Sequence, residues 1–150
     1  MSIKYVHTNL VAKDWKKLVY FYTEVLDCIA VPPERDLSGE WIEKATGVEN
    51  AKIAGIHLRL PGYGANGPTL EMFQYNSIDK ENRLKISSPG FAHLAFAVDN
   101  VELKVKEIIH HGGKPVGELI VKEIENVGKL IFQYVTDPEG NILEIQKWEV

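Results

Sequence analysis

The chain has 150 residues, 45% of them hydrophobic, enough for one core or for two small halves that share one. A formal net charge of −4 and the lack of any basic run argue against a nucleic-acid surface, leaving a small metabolite as the expected partner. Charged residues interrupt every long apolar stretch and MSIKYVHT has no apolar run of signal-peptide length, so neither membrane spanning nor export is expected and the cytoplasm is the expected compartment.

In chain order, the hydrophobic pattern predicts a strand at 3–11. Asp14 then caps a helix in which Trp15, Leu18, Val19, Tyr22, Val25 and Leu26 form one apolar stripe, and such a stripe needs a sheet to cover. A short strand is expected near 28–32. Cys28, the single cysteine, has no partner for an internal disulfide and no CxxC spacing, so it reads as a small buried apolar residue. A short helix near 40–46, ended by Gly47, precedes strands at 52–60 and 69–75 joined by the turn sequence PGYGANGP.

The polar segment at 77–89 is the expected connection between a first module at about 1–76 and a second at 90–150, the two forming one domain over 1–150. The second half is predicted as a strand at 90–98, a helix at 101–111 on Val101, Val105, Ile108 and Ile109, a stop at Gly112 and Gly113, and strands near 116–122, 129–136 and 141–147. Asp137 to Asn141 reads as a turn, in which Pro138 and Gly140 need no other explanation.

The order β-α-β-β-β thus occurs twice, and the sequence itself repeats. YVHTNLVAKDW (5–15) matches FAHLAFAVDNV (91–101) with a shift of 93 − 7 = 86, and TLEMFQY (69–75) matches ILEIQKW (142–148) with a shift of 144 − 71 = 73. The first copy therefore carries 86 − 73 = 13 additional residues, and ERDLSGEWIEKATGVEN (34–50) is the expected place for them. Its Trp41 and Ile42 fit a helix that covers the core as well as they fit a pocket wall or a dimer contact.

Four side chains sit at matching places in the two copies: His7, Glu71, His93 and Glu144. Two imidazoles and two carboxylates form an N₂O₂ set that neutralises a divalent ion and leaves positions open for water or substrate. Strand alternation puts His7 with Tyr5 and Asn9, Glu71 with Phe73 and Tyr75, His93 with Phe91, Ala95 and Ala97, and Glu144 with Ile142, Gln146 and Trp148. All four are expected to face one half-apolar concavity, in which Asn9, Phe73, Tyr75, Phe91 and Trp148 are the candidate substrate contacts. His57 shares a strand face with Arg59 and reads as hydrogen-bonded structure or as pocket lining. His110 and His111 read as helix-end residues that meet the last carbonyls.

YVHTNLVAKDWKKLVYFYTEVL, PTLEMFQY, GFAHLAFAVDN and VTDPEGNILEI, in this order, resemble the vicinal oxygen chelate superfamily of glyoxalase I, methylmalonyl-CoA epimerase, extradiol dioxygenases and the fosfomycin and bleomycin resistance proteins. The resemblance implies an α+β fold of two βαβββ modules, a mixed curved sheet with helices outside, a metal cup between the modules, and a homodimer. An acid at Glu71 is most similar to glyoxalase I; dioxygenase-like members match at His7, His93 and Glu144, epimerases tend to carry an amide at the first carboxylate, and drug-sequestering members lack the ligands.

The ligand set points to proton transfer at a carbon beside a metal-bound carbonyl or hydroxyl, through a metal-stabilised enediolate, on a small carbonyl or thioester substrate. By similarity with glyoxalase I, Glu144 is the first candidate for the base, Glu71 the acid or base opposite, and His7 and His93 the anchors. The expected cofactor is nickel, cobalt, zinc or manganese, or iron if the chain is an extradiol-type oxygenase. The resemblance also admits a methylmalonyl-CoA-epimerase-like isomerase and a non-catalytic small-molecule binder. With Arg35, Arg59 and Arg83 as the only arginines, and with KEIENVGK (122–129) lacking the small-residue pattern expected of bacterial glyoxalase I, no glutathione-binding constellation is evident.

Overall fold

The expected α+β architecture is present as two sheet-and-helix units in the computed structural model, which describes residues 2–79 and 85–150. The units span Met1–Lys80 and Glu81–Val150. Of the expected connection at 77–89, residues 80–84 lie outside the described residues, and so does Arg83.

In the first unit, β1 (His7–Val11), α1 (Trp15–Leu26), β2 (Ile29–Ser38), α2 (Glu40–Thr46), β3 (Lys52–Arg59) and β4 (Thr69–Tyr75) build a four-stranded sheet in the order β1-β4-β3-β2. β1 runs parallel to β4, and the other neighbours are antiparallel. The Asp14 carboxylate accepts from the backbone N–H of Lys17 at 3.2 Å and starts α1 as the sequence suggests. The buried stripe of α1 is Trp15, Leu18, Phe21, Tyr22, Val25 and Leu26. Phe21 thus takes the place expected for Val19, because Leu18, Phe21, Tyr22 and Val25 share a narrower face at i, i+3, i+4 and i+7. This stripe covers the sheet face that carries Ile56, Leu58, Leu70 and Met72, all buried. Each fully buried side chain of this size contributes about 1.5–3 kcal/mol.

The other face of the sheet is covered at one end by α2, whose Ile42 is 4% exposed and packs with Ala51, Ile53 and Phe73, while Trp41 stays exposed at 60%. The insertion therefore supplies a helix over the core through Ile42. Its opening part is itself sheet: Arg35 to Ser38 pair with Lys52 to Gly55, which makes β2 longer than the short strand near 28–32.

The second unit holds β5 (His93–Ala97), α3 (Val101–His110), β6 (Lys114–Pro115), β7 (Ile120–Ile124), β8 (Gly128–Thr136) and β9 (Ile142–Glu149). Its sheet runs β5-β9-β8-β6, with β7 also paired to β8. Asn100 caps α3 by accepting from Leu103 N–H at 3.0 Å, and Val101, Val105 and Ile108 bury against the face of Phe96, Leu143, Ile145 and Val135. The one strand expected near 116–122 is split into β6 and β7. β2 breaks at the matching place, where its register shifts between Val31 and Arg35. At the last turn, Asp137 is 1% exposed because its carboxylate accepts from Glu139 N–H, Asn141 N–H and Asn141 Nδ2, a structural role.

The strand registers fix the repeat residue by residue. Thr69 faces His7 and Ile142 faces His93; Asn9 faces Glu71 and Ala95 faces Glu144. His57 faces Glu71 as Tyr134 faces Glu144, so the shift on this strand is 134 − 57 = 77. The thirteen additional residues are therefore not all in 34–50: 86 − 77 = 9 precede His57, and 77 − 73 = 4 lengthen the β3–β4 turn.

Candidate metal centre

In the first unit, strand alternation places His7 and Asn9 of β1, His57 and Arg59 of β3, and Thr69, Glu71 and Phe73 of β4 on the face away from α1. Glu71 is the hub. Its Oε2 lies 2.8 Å from His57 Nε2, its Oε1 accepts from Asn9 Nδ2 at 2.9 Å, and His7 Nε2 lies 3.7 Å from the same Oε1. Its side chain is only 14% exposed, so these partners replace most of its water. His57 is held from its other side, with Nδ1 2.9 Å from Thr69 Oγ1. Ligand atoms of His7, His57 and Glu71 all lie within 4.8 Å of one another.

Burial holds the His57 imidazole below its ordinary pKa, and the positive fields of Arg35 and His7 act in the same direction, against the opposing pull of Glu71. The ring is accordingly neutral at physiological pH, with a lone pair on one nitrogen. Donor chemistry of this kind, imidazole with carboxylate in a half-buried setting, fits a borderline divalent cation.

In the second unit, His93 Nε2 lies 3.0 Å from Glu144 Oε2, and the Glu144 side chain is again 14% exposed. The Tyr134 ring sits edge-on to His93 with centroids 5.1 Å apart, and Phe132 stacks edge-on to Tyr134 at 5.6 Å. Burial raises the Tyr134 phenol above its ordinary pKa and the nearby Glu144 charge adds to this, so it stays a neutral hydroxyl.

Among the expected substrate contacts, Asn9 binds Glu71 directly, and Phe73 lies edge-on to His57 at 6.3 Å. Tyr75 is partly buried and packs on the Ile42, Ala51, Ile53 and Phe73 cluster under α2. Trp148, its counterpart, is 40% exposed and donates its indole N–H to Gln146 Oε1 at 3.1 Å. Phe91 precedes β5 rather than lying in it and is 98% exposed. His111 Nδ1 lies 2.9 Å from Glu107 O, the helix-end role read from sequence.

Sequence reasoning gave His57 and Tyr134 no metal-site role, although both stand directly opposite the carboxylates. The signal was the closing pair of each hairpin: once Arg59 faces Thr69 across PGYGANGP, an antiparallel register forces His57 onto Glu71.

A family model described as the Glyoxalase/Bleomycin resistance protein/Dioxygenase superfamily matches residues 4–145. The chain belongs to this superfamily. Among solved structures, a glyoxalase family protein from Bacillus cereus is similar with a TM-score of 0.83 at 16% identity, covering 100% of this chain and 97% of that one. A glyoxylase/bleomycin resistance protein/dioxygenase domain from Frankia sp. gives 0.59 at 19% identity, covering 99% and 100%. A glyoxalase family protein from Enterococcus faecalis gives 0.58 at 23%, covering 97% and 96%. At such identities the likeness concerns the superfamily's fold. Comparison with curated proteins finds no match. No helix among the described residues is long and apolar enough to cross a membrane.

Proposed function

We propose that this superfamily member is a metal-dependent lyase or isomerase that moves a proton at a carbon beside a carbonyl or thioester of a small substrate. Its ligands are His7 and Glu71 in the first unit and His93 and Glu144 in the second, and its two units act as one functional domain in a cytoplasmic homodimer. A bound divalent ion of nickel, cobalt, zinc or manganese supplies Lewis acidity where negative charge develops on the substrate oxygens.

The observation that carries the reading is the unequal restraint of two matched carboxylates. Glu71 is held by Asn9 and His57, with His7 beyond. Glu144, among the described residues, pairs with His93, and its other flanks are Ala95, Ile142 and the Tyr134 ring. A general base must move between partners during turnover, and Glu144 has fewer contacts to give up. Glu144 therefore takes the proton, and Glu71 is the anchored acid or base opposite. Asn9, Phe73, Tyr75, Phe91 and Trp148 remain the proposed substrate contacts.

The test is a metal-reconstituted screen of hemithioacetal isomerisation against CoA-thioester epimerisation, with Glu144→Gln as the probe. Turnover is expected to fall by at least about 100-fold while metal content stays substantial. Unchanged turnover in Glu144→Gln removes the proposed base, and iron content with oxygen consumption replaces the lyase or isomerase with an oxygenase.

A further inference from the structure

We infer that the first unit carries a complete three-ligand site for a divalent cation, in which His57 Nε2 joins His7 Nε2 and the Glu71 carboxylate. This rests on the metal dependence proposed above but not on the reaction. The symmetric set of four accounts for His7 and Glu71 and leaves His57 without a role, yet His57 is the nearer imidazole to Glu71, at 2.8 Å against 3.7 Å.

The three side chains converge from adjacent strands. Ligands bound at about 2.1 Å to one ion with tetrahedral or octahedral angles lie roughly 3.0–3.4 Å from one another. His57 Nε2 lies 2.8 Å from Glu71 Oε2 and His7 Nε2 3.7 Å from Glu71 Oε1, and the ligand atoms of the three side chains all fall within 4.8 Å, so small side-chain adjustments bring them to that spacing. Tautomer chemistry agrees. If His57 Nδ1–H donates to Thr69 Oγ1, the Nε2 lone pair points at a carboxylate oxygen, an arrangement that favours a cation between them. If Nε2 carries the hydrogen instead, that proton occupies the place of the ion, and the Thr69 hydroxyl donates to Nδ1.

Two ligands also have a partner behind them: Thr69 orients His57, and Asn9 orients Glu71. Outer partners of this type fix ring orientation and are worth about 10–100-fold in metal affinity. Among the described residues the second unit shows neither. Tyr134, Ile142 and Ala95 stand where His57, Thr69 and Asn9 stand, which leaves His93 and Glu144 as a two-ligand pair. The first unit therefore supplies the stronger part of the ion's ligand set, and His93 and Glu144 the weaker part.

Cobalt(II) alone, titrated into the full chain, tests this. His57→Asn is expected to weaken cobalt binding at least about tenfold, whereas the double variant His93→Ala, Glu144→Ala keeps a bound ion. Wild-type affinity in His57→Asn, or no binding in the double variant, overturns the inference. Because a substitution can also act through folding, wild-type crystals soaked in cobalt give a second readout: anomalous density bonded to His57 Nε2 supports the site, and cobalt bound without His57 overturns it. No cobalt binding by the wild type overturns both this inference and the proposed metal dependence, while unchanged turnover in Glu144→Gln touches the reaction alone.

Discussion

The paired strands β3–β4 and β8–β9 descend from one pattern and have diverged in a consistent direction. Opposite the carboxylate the first unit has His57 and the second Tyr134; one register step on, Gly55 faces Phe73 in the first, whereas Phe132 faces Gln146 in the second. A large ring flanks the carboxylate in both units, but from opposite strands. Beyond the His that each carboxylate shares with its own unit's first strand, the first unit adds Asn9 and His57 to Glu71, whereas the second sets Ala95 and the Tyr134 ring beside Glu144. Matched carboxylates at identical sheet positions are thereby restrained unequally.

The sharpest break concerns Gly55. A Cβ at this position would fall on the Met72 carbonyl oxygen and lie 2.8 Å from Phe73 Cδ1, so β3 would have to move away from β4. Gly55→Ala is expected to cost about 3 kcal/mol or more in urea unfolding. Phe132→Ala, at the matching half-exposed position, costs less; the reverse order would mean the ring exchange between strands is not what shapes the two units.

Next is α2, which has no counterpart among the described elements of the second unit. Ile42→Ala is expected to lose about 2–3 kcal/mol, while Trp41→Ala, on the exposed side, changes stability by less than about 0.5 kcal/mol. Equal losses would show that the insertion is not anchored through Ile42.

A smaller effect comes from exchanging outer partners. Thr69→Val, which mimics the apolar Ile142, is expected to weaken cobalt binding about tenfold, and Tyr134→His, which mimics His57, to strengthen it by a similar factor. Calorimetric titration reads both, and no change in either would disconnect the residue opposite the carboxylate from metal binding.

The smallest effect is at the exit of α1, where Cys28 precedes the Ile29–Arg59 pair as Gly113 precedes the Lys114–Thr136 pair. Burial, with Asp27 adding to it, pushes the Cys28 thiol up to about 12. At pH 8 the nucleophilic thiolate is therefore scarce, and iodoacetamide should leave the folded chain unmodified yet alkylate it in urea; mass spectrometry decides.

Much of the molecule is readable from residues alone. Asp14 and Asn100 announce α1 and α3, because a short polar acceptor before an apolar stripe has one favourable use. The duplicated His and Glu mark the two carboxylates, since strand ends carry periodicity that survives divergence. Periodicity favours Val19 over Phe21 in α1 because a stripe of 3.6-residue period admits two neighbouring readings. His57 and Tyr134 escape because their strand carries a third shift, 77, between the 86 and 73 seen at the ends. No short match reveals it.

Local chemistry, then, dictated the order of elements, the duplicated pattern and the matched His and Glu side chains, all of which depend on residues close together along the chain. Which side chain stands across from each carboxylate was set by hairpin register, and register depends on loop length and on pairing between residues 71 − 57 = 14 and 144 − 134 = 10 positions apart. Composition and periodicity carry no record of that distance. Folding alone turned His57 toward Glu71 and Tyr134 toward Glu144, and so made two copies of one motif chemically unequal.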